Sequence, residues 1–336
     1  MPKLTLMPHL SGALLCTLLS VVAIFVASTF QLPVMIVALC VGLIFSKLYS
    51  ISSLVDGINF CARPLLYVGV ALLGIRIDAA EIFEAGIAAP LLSIAALVIT
   101  LIVGLLFSKL LKINRQFGVL ISGAVAICGV SAAAAICCAL PDCKSREREL
   151  ALTIAGITVL SSIAMLLYPA ISYLLELNDF AAGAFFGASI HNVSQVVGAG
   201  YAISPESGDV ATFVKMIRVS ALLPVIMIIG IAYGRNSATT SSTWRTYFPP
   251  FLIGFFILAA LNSLHIFPEN ISALGSKISK TFLVVSLLGI GLKTNIFDIL
   301  KVGPRPLIVM TLTTAFMAMF VLGSIYFLQS INLFAL

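Results

Sequence analysis

Three groups of residues could do chemistry in a chain that is otherwise almost wholly apolar. In the string Gly187-Ala-Ser-Ile-His-Asn-Val-Ser-Gln-Val-Val-Gly-Ala-Gly200, the residues Ser189, His191, Asn192, Ser194 and Gln195 set hydrogen-bonding groups inside a membrane-length apolar stretch. Lys215 and Arg218 follow, three residues apart and so on one helix face. Upstream, Ser122 to Ala135 is built of small residues around Cys128, Gly129 and Ser131. Such a segment lets backbones approach closely, or lets a helix break and expose its N–H groups. A half-helix N-terminus carries about half a positive charge and binds anions. With Lys215, Arg218 and His191 added, the predicted cavity is cationic or neutral and its substrate an anion. His191 is a pH-sensitive donor in that cavity. Each feature also has a plainer reading: the two cations snorkel to the headgroups, the histidine is a neutral packing residue, and the alanine run is a tight helix crossing.

The elements that must position these groups are membrane helices. The chain has 336 residues, 61% hydrophobic and 10% charged, with a mean hydropathy of +1.17; a soluble surface needs roughly a quarter charged residues. Apolar helices are predicted near 10–29, 31–49, 63–77, 87–111, 116–140, 149–176, 180–201, 210–234, 248–266, 280–293 and 304–329, about eleven spans. The first is read as a retained helix rather than a secretory signal, since a second apolar segment follows almost at once. The one markedly polar linker is Arg235 to Arg245, so residues 1–336 read as a single integral transporter domain. Lys47, Lys109, Lys112, Arg115, Arg235, Arg245, Lys293, Lys301 and Arg305 fall on the N-terminal side and favour a cytoplasmic N-terminus; an odd span count then puts Leu336 outside.

The net charge of +6 sets topology, because no basic cluster is long enough for a phosphate-binding face and no nucleic-acid partner is expected. Seven scattered cysteines and three distant histidines give neither a disulfide framework nor a metal site, and no cofactor is expected. All 13 acids fall in loops or at helix ends, which argues against a cation site built on a buried carboxylate.

An internal repeat organises the chain. Val70-Ala-Leu-Leu-Gly-Ile-Arg-Ile-Asp78, followed by Ile82-Phe83-Glu84, returns as Val285-Ser-Leu-Leu-Gly-Ile-Gly-Leu-Lys293, followed by Ile296-Phe297-Asp298. The relation extends to segments 31–111 and 248–329, offset by seven spans. An odd offset means opposite orientation, the inverted repeat of secondary transporters. Gly74 and Gly289 hold matching positions and mark broken helices or close packing. A second echo joins Gly123-Ala124 and Val130-Ser131 to Gly187-Ala188 and Val193-Ser194. Its even offset does not suit an inverted duplication unless a segment is re-entrant.

Ile127-Cys-Gly-Val-Ser131, the string Ala188 to Pro205, Lys215-Met-Ile-Arg218 and Leu72-Leu-Gly-Ile75 together resemble the YeiH family, a sulfate-exporter family of bacterial inner-membrane proteins. More distantly the chain is similar to the bile acid/sodium symporter and NhaA-like transporters. That resemblance implies an all-α polytopic fold with inverted repeats, whose core crosses two interrupted helices, here 116–140 and 180–201. The family commonly has an acid directly after the histidine, where this chain has Asn192. If the acid serves ion coupling, coupling here is altered or absent; if it orients the histidine, an amide does the same.

The leading reading is a secondary transporter, an exporter of sulfate, sulfite or a sulfonate, not an enzyme, with Cys128, Gly129, Ser131, His191, Asn192, Gln195, Lys215 and Arg218 as its substrate site. A Na+-coupled importer of organic anions is the alternative. An intramembrane serine hydrolase using Ser131 and His191 is a third, from the superficial likeness of Gly129-Val-Ser131 to a nucleophile turn. The expected partners are the anion, the bilayer, Na+ or H+ as coupling ion, and a second copy in a homodimer.

Overall fold

A computed structural model describes residues 7–77, 88–141, 145–233, 249–264, 266–295, 297–298 and 302–331. The polar linker from Arg235 to Arg245, Cys143, Leu336 and the repeat residues Asp78, Ile82, Phe83, Glu84 and Ile296 lie outside them. Every regular element among the described residues is helical, and the chain is an all-α polytopic membrane protein.

In order the helices are α1 (Met7–Phe30), α2 (Val34–Ile44), α3 (Ser52–Phe60), α4 (Leu66–Leu73), α5 (Ala88–Leu110), α6 (Arg115–Ala126), α7 (Val130–Ala139), α8 (Arg146–Leu174), α9 (Asp179–Ser189), α10 (Val193–Ile203), α11 (Pro205–Ser220), α12 (Leu222–Ala232), α13 (Pro250–Ser263), α14 (Glu269–Lys293) and α15 (Pro304–Ser330). A π turn at Cys61–Leu65, carrying Pro64, joins α3 to α4. By length and composition seven segments suffice to cross a membrane: 10–30, 52–76, 88–110, 146–174, 205–232, 270–293 and 304–330.

The residues read above as one domain form two compact units. Unit 1 takes α1 to α4, most of α13 and α14; unit 2 takes α5 to α9, α10 up to Gly200, α11, α12 and α15. In unit 1 the matched glycines differ in use. Gly74 opens a 3-10 turn that ends its helix, against the carbonyl of Phe255, whereas Gly289 lies inside the unbroken α14, against Cys61 and Ala62. The span predicted at 280–293 starts eleven residues earlier, because Ser272, Ser276 and Lys277 hide the helical pattern of a half-polar first half.

Unit 2 departs from two crossing helices. The segments 116–140 and 180–201 are both interrupted, and each turns back on itself. Gly123, one turn before the first break, faces the side chain of Ile136, six residues past the start of α7. In the second segment, Cβ positions on Gly183 and Gly200 would lie 2.6 and 3.0 Å from one atom, the carbonyl oxygen of Ser207. Seventeen residues of straight helix would separate them by about 25 Å. The pieces α6/α7 and α9/α10 are therefore re-entrant hairpins. They enter from opposite ends of α8, whose 29 residues span about 44 Å. Arg146, at its start, bonds Cys137 at the base of the first hairpin; four residues beyond its end, Asn178 begins the second. This disposition resolves the second echo, since it relates two hairpins rather than two full spans. Removing both hairpins from the count leaves the main repeat offset by five, still an odd number.

Candidate functional site

The hairpin tips meet at the middle of α8. Helix α6 starts at Asn114, whose side chain accepts from the Gln116 N–H at 3.2 Å, and α9 at Asn178, whose side chain accepts from the Ala181 N–H at 2.8 Å. Both run inward and stop where a helix has unsatisfied carbonyls and a partial negative charge. At the first tip Gly129 has φ +69°, a conformation that suits a residue without Cβ, and a Cβ there would strike the Asn192 side chain. At the second, Ile190 is extended, at φ −76° and ψ 140°.

Lys215 and Arg218 answer the carbonyl ends of both helices. Lys215 Nζ donates to Ile127 O at 3.0 Å and to Ile190 O at 2.7 Å. Arg218 Nε donates to Ala126 O at 3.0 Å, its two terminal nitrogens donate to Ala188 O and Ala126 O, and one of them also meets Met317 Sδ at 3.1 Å. Both side chains are fully buried, which sets the snorkelling reading aside. Helix α11 can reach both tips because it runs alongside α9 in the same direction, with Gly183 at Ser207 and Gly187 at Ala211. A buried cation costs several kcal/mol unless it is paired or bonded, and hydrogen bonds to a charged group return about 1.5–3 kcal/mol each. Carbonyl dipoles, not carboxylates, hold these two charges.

His191 is fully buried, with Nδ1 at 3.2 Å from Val125 O and Nε2 at 2.9 Å from Thr314 Oγ1. A carbonyl only accepts, so Nδ1 carries the hydrogen and the Thr314 hydroxyl faces Nε2. The ring thus fastens both tips to α15. Neither nitrogen bonds Ser131, so the serine–histidine pairing that the hydrolase reading needs is not formed.

Asn192 Oδ1 accepts from the Val130 N–H at 3.4 Å, so the second tip caps the first residue of α7. The Asn192 N–H donates to Ser161 Oγ at 3.1 Å, Ser161 donates to Gln195 Oε1 at 3.1 Å, and Gln195 Nε2 donates to Ser162 Oγ at 3.1 Å. Ser161 and Ser162 on α8 were missed by sequence reasoning; their visible signal is a serine pair at the centre of a long apolar span. Cys128 and Gly129 are buried in the first tip, whereas Val130, Ser131, Asn192 and Val193 are partly exposed. The accessible part of the junction is therefore the first turn of α7 and of α10, two positive helix ends.

The chain matches the family model described as Conserved hypothetical protein 698 over residues 11–310. It is 36% identical to a UPF0324 membrane protein of Chlorobaculum tepidum, over 96% of this chain and 90% of that one. It is 38% identical to one of Rhizobium meliloti, over 94% and 92%, and 37% identical to UPF0324 membrane protein TauZ of Paracoccus pantotrophus, over 94% and 95%. No solved structure matches. Consistent with the YeiH resemblance, the chain belongs to the Conserved hypothetical protein 698 family, the UPF0324 membrane proteins.

Proposed function

We propose that the protein is a secondary transporter of the bacterial inner membrane, with its N-terminus in the cytoplasm, that exports a small oxyanion such as sulfate, sulfite or a sulfonate by alternating access. The observation that carries this reading is the polarity of the hairpin junction. Its negative helix ends are buried under Lys215 and Arg218, and its accessible ends, at Ser131 and Asn192, are positive. Lys215 and Arg218 act on the substrate through their field, while Ser131, Asn192 and the free N–H groups of the two first turns supply hydrogen bonds. Asn192, an amide where relatives of the resembled family carry an acid, keeps the junction free of negative charge.

The test is anion-dependent stabilisation of the purified protein by sulfate, sulfite and taurine, with and without Na+, beside Asn192→Asp. Stabilisation follows mass action. We expect a shift with one of these anions that Asn192→Asp weakens at least tenfold in apparent affinity; an anion shift of equal size in the variant would overturn the assignment. A second reading, import coupled to Na+, rests on the side-chain oxygens of Asn192, Ser161 and Gln195 around the second tip. It requires that the anion shift vanish when Na+ is replaced by K+.

A further inference from the structure

A second cationic cluster lies in unit 1 at the C-terminal end of α14. Lys293 Nζ donates to Asn59 Oδ1 at 2.8 Å, Tyr49 donates its hydroxyl to the same oxygen at 3.1 Å, and the ammonium stands 6.0 Å from the Tyr49 ring centroid. Gly289 explains the approach. Its missing Cβ lets α14 close on the π turn, since a Cβ there would stand 3.2 Å from Ala62 N and 3.3 Å from Cys61 Cβ, and Lys293 is one helical turn further along the same face. Arg63, on the π turn, follows Asn59 by four residues, about one helical turn beyond the amide that holds Lys293, and π turns are frequent at functional sites. Both side chains are exposed, and no carboxylate among the described residues bonds either one. Two like charges brought together by the fold repel unless an anion lies between them.

The surroundings decide which anion. Phe60 and Tyr67, 44% and 36% exposed, stand three and four residues from Arg63, and Val68 beside them is 49% exposed, all on a membrane-spanning segment. An apolar, outward-facing wall next to paired cations, a tyrosine and an amide suits a ligand with a phosphate at one end and hydrocarbon at the other. We propose that Arg63, Lys293, Asn59 and Tyr49 form a headgroup site for an anionic phospholipid. Lys293, held by Asn59 and Tyr49, is the fixed charge, and Arg63 closes on the phosphate as a fork. The site is independent of the hairpin junction and of the transport reading.

The experiment is native mass spectrometry of the full chain, transferred from mixed phosphatidylglycerol and phosphatidylcholine nanodiscs, for wild type, Lys293→Arg and the double variant Arg63→Gln, Lys293→Gln. Wild type and Lys293→Arg are expected to retain phosphatidylglycerol at least fivefold over phosphatidylcholine, and the double variant to lose that preference. Because both residues are exposed, the double variant should keep wild-type helicity and elution volume. Equal retention of the two lipids by wild type, or an undiminished preference in the double variant, would overturn the site. Displacement of phosphatidylglycerol by inorganic phosphate at matched concentration would overturn its assignment to lipid.

Discussion

The two hairpin tips solve one problem by different means. Each must end a helix inside the membrane and start another within three residues, leaving carbonyls on one side and N–H groups on the other. The first does it with backbone conformation, since Gly129 at φ +69° turns the chain without a supporting side chain of its own. The second uses an extended Ile190 that any residue can adopt, and relies on side chains instead: His191 to Val125 and Thr314, Asn192 to Val130, Gln195 to Ser161 and Ser162. A tip set by backbone conformation is sensitive at one residue. A tip set by side chains spreads its dependence over several, and each of those can be altered with the turn intact.

The sharpest way to break this contrast is Gly129→Ala against Asn192→Ala. The first forces a Cβ into a disfavoured backbone region and into the Asn192 amide, and is expected to cost on the order of 3 kcal/mol. The second removes one acceptor and is expected to cost about 1 kcal/mol. Unfolding midpoints in denaturant decide it, and equal losses would mean the tips are held alike. Arg218→Lys comes next, at about 2 kcal/mol, because an ammonium has no counterpart to the Nε–H on Ala126 or to the two-pronged fork on Ala126 and Ala188. Amide exchange should quicken at both tips; quickening at one alone would show that Arg218 does not tie them. Ser161→Ala is the smallest, about 1 kcal/mol, and should loosen the second tip only. An equal change in exchange at Gly129 would show that α8 holds the tips as one body.

Much of this site was legible in the chain, and the illegible part has a physical cause. Lys215 and Arg218 announce themselves as charges inside an apolar segment, and the polar string around His191 does the same. Their partners do not. The groups that satisfy the cations are main-chain carbonyls of Ala126, Ile127, Ala188 and Ile190, which every residue owns, so nothing in the side-chain pattern marks them. The hairpins were hidden for a related reason. A segment that turns back and one that runs through have the same apolar composition, and only the contact of Gly123 with Ile136, or of Gly183 and Gly200 with Ser207, separates them. The parity of the second echo was the one trace of that reversal in the sequence.

The order of the elements along the chain bears on how the molecule is made. A lone Lys or Arg at the centre of a bilayer costs about 2.5–3.5 kcal/mol on insertion scales, and α11 carries both within one turn. During synthesis α6 and α9 precede Lys215, so the segments whose carbonyls receive the two charges leave the ribosome ahead of those charges. Only Met317, a minor contact of Arg218, is made afterwards. The order thus lets nascent α11 meet its receptor rather than cross hydrocarbon alone, and a circular permutant that places α11 ahead of both hairpins is expected to insert less well, which the membrane-integrated fraction on expression checks.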